Sequence, residues 1–205
     1  MPALRRKAHN PTYPGVVDTL NQPSYDSVSF AAGAAMTKTV LFQSPIGQGG
    51  KTLAQTNMTQ AGQLPFPNQL VITSIKVYVA NNTLQADLQN LISNVSFTLT
   101  IGTKPWFQGP LVLLPAAMGG YITYAAQIGT AAAGDRPYFS TTNGVPDPRA
   151  SYALTLPITL QAGEGFNVTL NPETAFNFAA ADGTTYGVGT TILVVLDGEL
   201  TRAVS

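Results

Sequence analysis

Residues 94–101 read NVSFTLTI, and no other stretch limits the fold as tightly. Val95, Phe97, Leu99 and Ile101 are apolar, and Ser96, Thr98 and Thr100 between them are polar. Successive side chains of a strand point to opposite faces, so a period of two makes a strand with one dry face and one wet face. The dry face must be covered, and the chain supplies more strands to cover it. Residues 36–43, 69–80, 106–114, 152–160, 165–170 and 189–196 are rich in Thr, Val, Ile, Leu and Phe and are bounded by turn formers. Residues 161–164, QAGE, join two of these runs as a short hairpin loop.

Helix signals are sparse. Residues 82–92 place Leu84, Leu88 and Leu91 on one helical face, with Asn82 or Thr83 at the start as a cap. This predicts one short helix between two strands. Residues 115–150 hold Ala, Gly and Pro with little periodicity, and only 121–124 predicts a strand there. Gly102 to Pro105 reads as a turn. Seven or eight strands with no helix–strand alternation predict an all-β sandwich or barrel. No repeat of 20–50 residues is present to suggest a solenoid or propeller.

Residues 1–30 read differently, as an extended arm ahead of a single β domain at 31–205. Pro2, Pro11, Pro14 and Pro23 punctuate the segment, and Arg5, Arg6 and Lys7 sit beside the single histidine, His9. A Pro-rich segment with a basic tip is either disordered or ordered only by a partner. Arg5, Arg6 and Lys7 are therefore candidates for contact with a neighbouring chain, nucleic acid or an acidic lipid surface, and a solubilising terminus is the plain alternative. No apolar stretch follows this basic start, so no secretory signal is expected and the chain reads as soluble and made inside a cell.

Charge is scarce. Only 10% of the residues are charged, and ten basic groups balance ten acidic ones. An ordinary soluble domain carries about 25%. A chain at zero net charge is poorly protected against association, and surfaces buried between proteins are depleted in charge. Self-association follows as the expectation.

The same scarcity argues against catalysis. There is no cysteine, so disulfides and thiolate metal sites are excluded. One histidine builds neither a Ser-His-Asp triad nor a histidine-rich metal site. Most of the ten carboxylates stand beside Gly or Pro, where they read as turn or solvated loop groups, and no spacing nominates a catalytic pair. Residues 44–52, SPIGQGGKT, imitate a phosphate-binding loop after a strand. Pro45 occupies the first glycine position, where it has no N–H to offer and a fixed φ. A calcium site in a loop, at Asp135 or Asp147, is the one metal site left open, without the spacing of a known motif. No enzyme activity and no cofactor are expected. Trp106 and Phe107 read as core or interface anchors.

A basic Pro-rich arm, then about eight short strands, then a last strand near the C-terminus, resembles the single jelly-roll capsid proteins of icosahedral viruses. The low-charge Gly/Thr/Asn composition is similar to the shell proteins of tailless bacteriophages, as are YALTLPITLQAGEGFNVTL at 152–170 and LDGELTR at 196–202. The resemblance covers most of the chain as a pattern of elements. It implies an eight-stranded jelly-roll sandwich or barrel and self-assembly into a virion shell, made in the host cytoplasm. The arm would reach a neighbour or the shell interior. Partners would be copies of the chain and other capsid proteins, with Arg5, Arg6, Lys7, Trp106 and Phe107 in the contacts. The alternative reading is a carbohydrate- or receptor-binding β-sandwich of a viral spike or fibre.

Overall fold

A computed structural model of the chain describes residues 17–80, 83–114, 121–123, 140–142, 151–180 and 189–203. They form two antiparallel sheets packed face to face as a sandwich around one core. The first sheet holds β1 (Val17–Asn21), β2 (Ser24–Phe30), β4 (Gln69–Val79), β9 (Tyr152–Leu160) and β11 (Thr190–Ala203). The second holds β3 (Thr39–Leu41), β5 (Val95–Ile101), β6 (Lys104–Pro110) and β10 (Phe166–Pro172). One helix, α1 (Gln85–Asn94), leads directly into β5, and a small ribbon pairs β7 (Tyr121–Thr123) with β8 (Ser140–Thr142).

β1 and β2 are two halves of one strand. Asn21 faces Glu199 and Ser24 faces Leu196, so the register on β11 is the same on both sides of the break. The break falls at Gln22 and Pro23, and proline has no N–H to donate to a ladder. Each sheet is thus four strands wide. Their orders are β1/β2-β11-β4-β9 and β3-β10-β5-β6.

The alternating run at 94–101 folds as its pattern dictates. Val95, Phe97, Leu99 and Ile101 are buried, and Ser96, Thr98 and Thr100 are half-exposed. β10 answers it with Phe166, Val168 and Leu170, and β11 supplies Ile192, Val194 and Leu196 from the facing sheet. Each such side chain contributes roughly 1.5–3 kcal/mol by leaving water. Many of them in one cluster, rather than a few polar contacts, hold the sheets together.

Several boundaries differ from the sequence expectation. The sheet begins at Val17, so residues 17–30 of the expected arm lie within it, while residues 1–16 lie outside the described residues. β6 begins at Lys104, so Lys104 and Pro105 belong to a strand and the turn is confined to Gly102 and Thr103. Proline is tolerated there because β6 is an edge strand. β3 is only three residues long. The helix starts at Gln85 with Leu84 as its N-cap and no side-chain cap. The Thr83 hydroxyl, expected as a cap, instead hydrogen-bonds the Thr190 hydroxyl, and Asn82 lies outside the described residues.

Asp87, in the first turn of α1, ties the helix to the segment that precedes β11. Its two carboxylate oxygens accept the Ala179 N–H at 3.0 and 3.2 Å. Burial raises the Asp87 carboxyl above its usual 3.8, and the hydrogen bond from Ala179 pulls the other way. The folded chain therefore holds this proton more tightly than the unfolded chain does. The group's contribution to stability rises as pH falls through the raised folded value towards 3.8, and it is unfavourable above. Exposed Glu173, held by Ser96 and Asn171, is shifted down from 4.5 and acts in the opposite sense. In Asp87→Asn the first slope disappears while one acceptor for Ala179 remains. Thermal melts between pH 7 and 4 should show the wild-type Tm gaining on that of the variant as pH falls.

Candidate functional surface

The glycine-rich loop after β3 was the most suggestive chemical motif in the sequence, and its geometry commits it elsewhere. Three of the loop's N–H groups donate to its own carbonyls, Gly47 to Lys51, Gln48 to Pro45 and Lys51 to Gln48, and Ile46 N–H donates to the Met58 carbonyl. A phosphate loop needs such groups free and converging on an anion. Lys51 Nζ lies 2.5 Å from Asp26 Oδ1 and donates at 2.8 Å to the Ser27 carbonyl. Asp26 is 0% exposed. Its second oxygen accepts the Phe42 N–H at 2.6 Å. Phe42 is fully buried at φ +68°, a conformation unfavourable for a bulky residue, so the Asp26 carboxylate helps to hold it. Asp26 and Asp87 are thus buried structural carboxylates, not the turn or solvated groups that most carboxylates were expected to be.

The same loop closes a sheet edge. Asn57 Oδ1 accepts the Tyr25 N–H, the Asn57 N–H donates to the Tyr25 carbonyl, and Asn57 Nδ2 donates to the Pro23 carbonyl at 2.7 Å. Tyr25 donates its hydroxyl to the Leu53 carbonyl. Residues 51–57 so occupy most of the outer edge of β2. The loop's chemistry is spent on covering a strand, which is the physical answer to an unpaired row of backbone groups.

The opposite side of the sandwich looks outward. There β6 and β9, the last strands of their sheets, approach each other through Phe107 and Tyr152, whose rings meet edge to face at 5.2 Å. Phe107 also packs on Phe97 at 5.8 Å and is half-buried against the core. Trp106 is different. Phe107 faces Leu99 and Pro105 faces Thr100, which leaves Trp106 as the extra residue of a bulge, 55% exposed. β9 carries a larger interruption. Ile158 faces Ile72 and Ala153 faces Ser74, so residues 154–157 stand opposite Thr73 alone. Leu156 at its crest is 81% exposed. Val112 and Leu113, just past β6, are exposed as well, whereas Leu111 and Leu114 of the same apolar stretch are buried. Lys104 is the single charged residue of β6, β9 and the Leu111–Leu113 turn.

Sequence reasoning found Trp106 but passed over Leu156. The signal was present in Pro157, since proline inside a strand-like run marks an edge or a bulge. The other expected site residues, Arg5, Arg6 and Lys7, lie outside the described residues, as do Asp135 and Asp147. Among the described residues no group of three or more His, Cys, Asp or Glu comes together to hold a metal ion. A hollow of about 400 Å³ on the first sheet is lined, among the described residues, by Thr19, Leu20, Asn21, Thr73, Asp197, Gly198 and Glu199. Asp197 there is already held by Lys76 at 2.6 Å.

The role given to Lys51 has a direct check. Lys51→Met leaves the Asp26 carboxylate buried with the Phe42 N–H still donating to it. Breaking a buried pair costs about 3–5 kcal/mol, and partial exposure of the lysine reduces this to about 2 kcal/mol. Urea denaturation should show that loss with an unchanged m-value. No protein-family model, no curated protein and no solved structure matches this chain.

Proposed function

We propose that the eight strands form a jelly roll and that the chain is a subunit of an icosahedral virus shell, working by packing against copies of itself and other shell proteins. The observation that carries the reading is the nesting of the strand pairs. With β1/β2 counted as one strand and β7 and β8 set aside as an insertion, the first pairs with the eighth, the second with the seventh, the third with the sixth and the fourth with the fifth. That is one long hairpin. The third strand also pairs with the eighth and the fourth with the seventh, which is how a long hairpin rolls into two sheets.

The β6–β9 side supports the assembly half of the reading. Trp106, Val112, Leu113 and Leu156 are apolar, exposed and almost free of charged neighbours along these strands. Aromatic groups standing out of a low-charge edge are what buried contacts between proteins use. In this reading the chain sits in the virion, and Arg5, Arg6 and Lys7 belong to a segment that contacts neighbours, nucleic acid or a membrane beneath the shell. The second reading, a carbohydrate- or receptor-binding sandwich, draws on the polar hollow beside Asp197 and Glu199. Among the described residues no aromatic ring lines that hollow to stack on a sugar, which ranks this reading second.

Light scattering of the purified chain over rising concentration tests the proposal. Particles far larger than a dimer are expected, and they should persist or grow in high salt because apolar contact is not screened. Trp106→Ser with Leu156→Ser should shift assembly to at least tenfold higher concentration while leaving the melting curve of the monomer nearly unchanged. A monomer at every concentration and salt contradicts the shell reading and favours the binding one.

A further inference from the structure

A second hollow, of about 230 Å³, opens where β1 and β2 break apart, between that break, the loop at 57–68 and the end of β11. Part of its lining is apolar. Met58 and Leu64 are buried, Leu200 packs against the core, and Pro23 and Pro65 complete this part. The walls are tied down by hydrogen bonds. Asn57 Nδ2 donates to the Pro23 carbonyl at 2.7 Å, the Gly163 N–H donates to the Leu64 carbonyl at 3.0 Å, and the Asn68 N–H donates to the Pro65 carbonyl at 2.8 Å. A hollow held this way keeps its shape before anything enters it. Its other polar groups are idle. Ser24 is only 6% exposed, and its hydroxyl makes no hydrogen bond among the described residues. Every fully buried side-chain polar atom among those residues has a partner, so the Ser24 hydroxyl keeps an opening, and the hollow is the space it lines. A polar group this deep is normally satisfied by water or a ligand. The side-chain amides of Gln22, Gln63 and Asn68 have no hydrogen-bond partner among the described residues either. Arg202 also lines the hollow, and its one ion pair, with Asp18, is 3.4 Å long between half-exposed side chains and holds it weakly.

We propose that this hollow binds a sugar acid, a single ring that carries one carboxylate. The guanidinium of Arg202 takes the carboxylate, since its planar fork matches one and no acidic group lines the hollow among the described residues. The amides of Gln22, Gln63 and Asn68 and the hydroxyl of Ser24 take the ring hydroxyls. Both kinds of group donate and accept, as sugar hydroxyls do. The C–H edges of the ring lie against Leu64, Leu200 and the two prolines. This combination of a few convergent polar groups on an apolar lining is the usual form of a small-molecule site. The size excludes a drug-sized ligand and admits one ring. An extended peptide fits less well, because it binds along a free strand edge. The edge beside the hollow, that of β2, is already covered by residues 51–57. The hollow of about 400 Å³ on the first sheet carries Asp197 and Glu199 and repels the same ligand.

Saturation-transfer difference NMR of the full-length chain with glucuronate tests this. The signal is read on the ligand's protons, so it works for a monomer and for a large particle. Glucuronate should bind with a Kd of about 1 mM, the range open to a polar ligand of this size. Glucose, which lacks the carboxylate, and acetate, which lacks the ring, should each bind at least tenfold more weakly. Arg202→Gln should weaken glucuronate at least tenfold and leave glucose unchanged. Gln63→Ala should weaken both sugars about fivefold, the loss of one hydrogen bond, at an unchanged Tm. No transfer to glucuronate, or an undiminished signal in Arg202→Gln, overturns the inference. N-acetyl-aspartate binding as tightly as glucuronate overturns it as well, since the hollow then reads an acidic peptide and not a ring. The inference does not rest on the shell reading. Particles without glucuronate binding leave the shell standing and remove the site, and a monomer that binds glucuronate does the reverse.

Discussion

The sandwich depends on β11. Its fourteen residues pair with β1 and β2 along one side and with β4 along the other. Ile192, Val194 and Leu196 are meanwhile fully buried against the second sheet. No other strand of the first sheet has neighbours on both sides over such a length. β11 is also where the sheet bends. Its register on β4 shifts between Asp197 and Gly198, directly opposite the break at Gln22 and Pro23. On the far side of β4 the same row continues into the residues 154–157 that stand opposite Thr73. Gly198 is obligatory at this crossing, since a Cβ there would stand 1.9 Å from the Val71 carbonyl oxygen. One irregular row thus crosses the whole sheet, and it separates the β2 half, covered by the loop, from the β1 half.

The fold was legible where burial imposes a period. β5 and β9 were readable to within a residue because inward and outward side chains differ in polarity or because β-branched and apolar residues crowd together. β1 and β2 were not readable, since SYDSVSF buries a serine and an aspartate towards the core and VDTLN is mostly exposed. Pro23 then divided one strand into two short pieces that resembled an arm. β6 was read as starting at Trp106 because Gly102-Thr-Lys-Pro105 has the composition of a turn. An edge strand accepts Pro105, and edge status is a property of the whole sheet rather than of the local sequence.

The candidate surface divides in the same way. Trp106 drew attention by residue type alone. Leu156 is unremarkable in an apolar run until β4 is placed beside it, and only then does the four-residue interruption appear. Asp26 had no local mark at all. Its partner Lys51 is 25 residues away and belonged to what looked like a phosphate loop. Loop closure brings them together, and the chemistry that resembled a ligand site closes a strand edge instead. Among the described residues Asp26 and Asp197 are paired to Lys51 and Lys76 within or along the first sheet, and the apolar Trp106, Val112, Leu113 and Leu156 are exposed at the β6–β9 side.

Native-state hydrogen exchange resolved along the chain tests the dependence on β11 most directly. If β11 is the element on which both sheets hang, the amides of Ile192, Val194 and Leu196 exchange only by global unfolding. Their protection then equals the stability from denaturant unfolding and matches or exceeds that of β5. Exchange of residues 190–196 through a local opening, at a free energy well below the global value and below that of Phe97 and Leu99, would contradict the account.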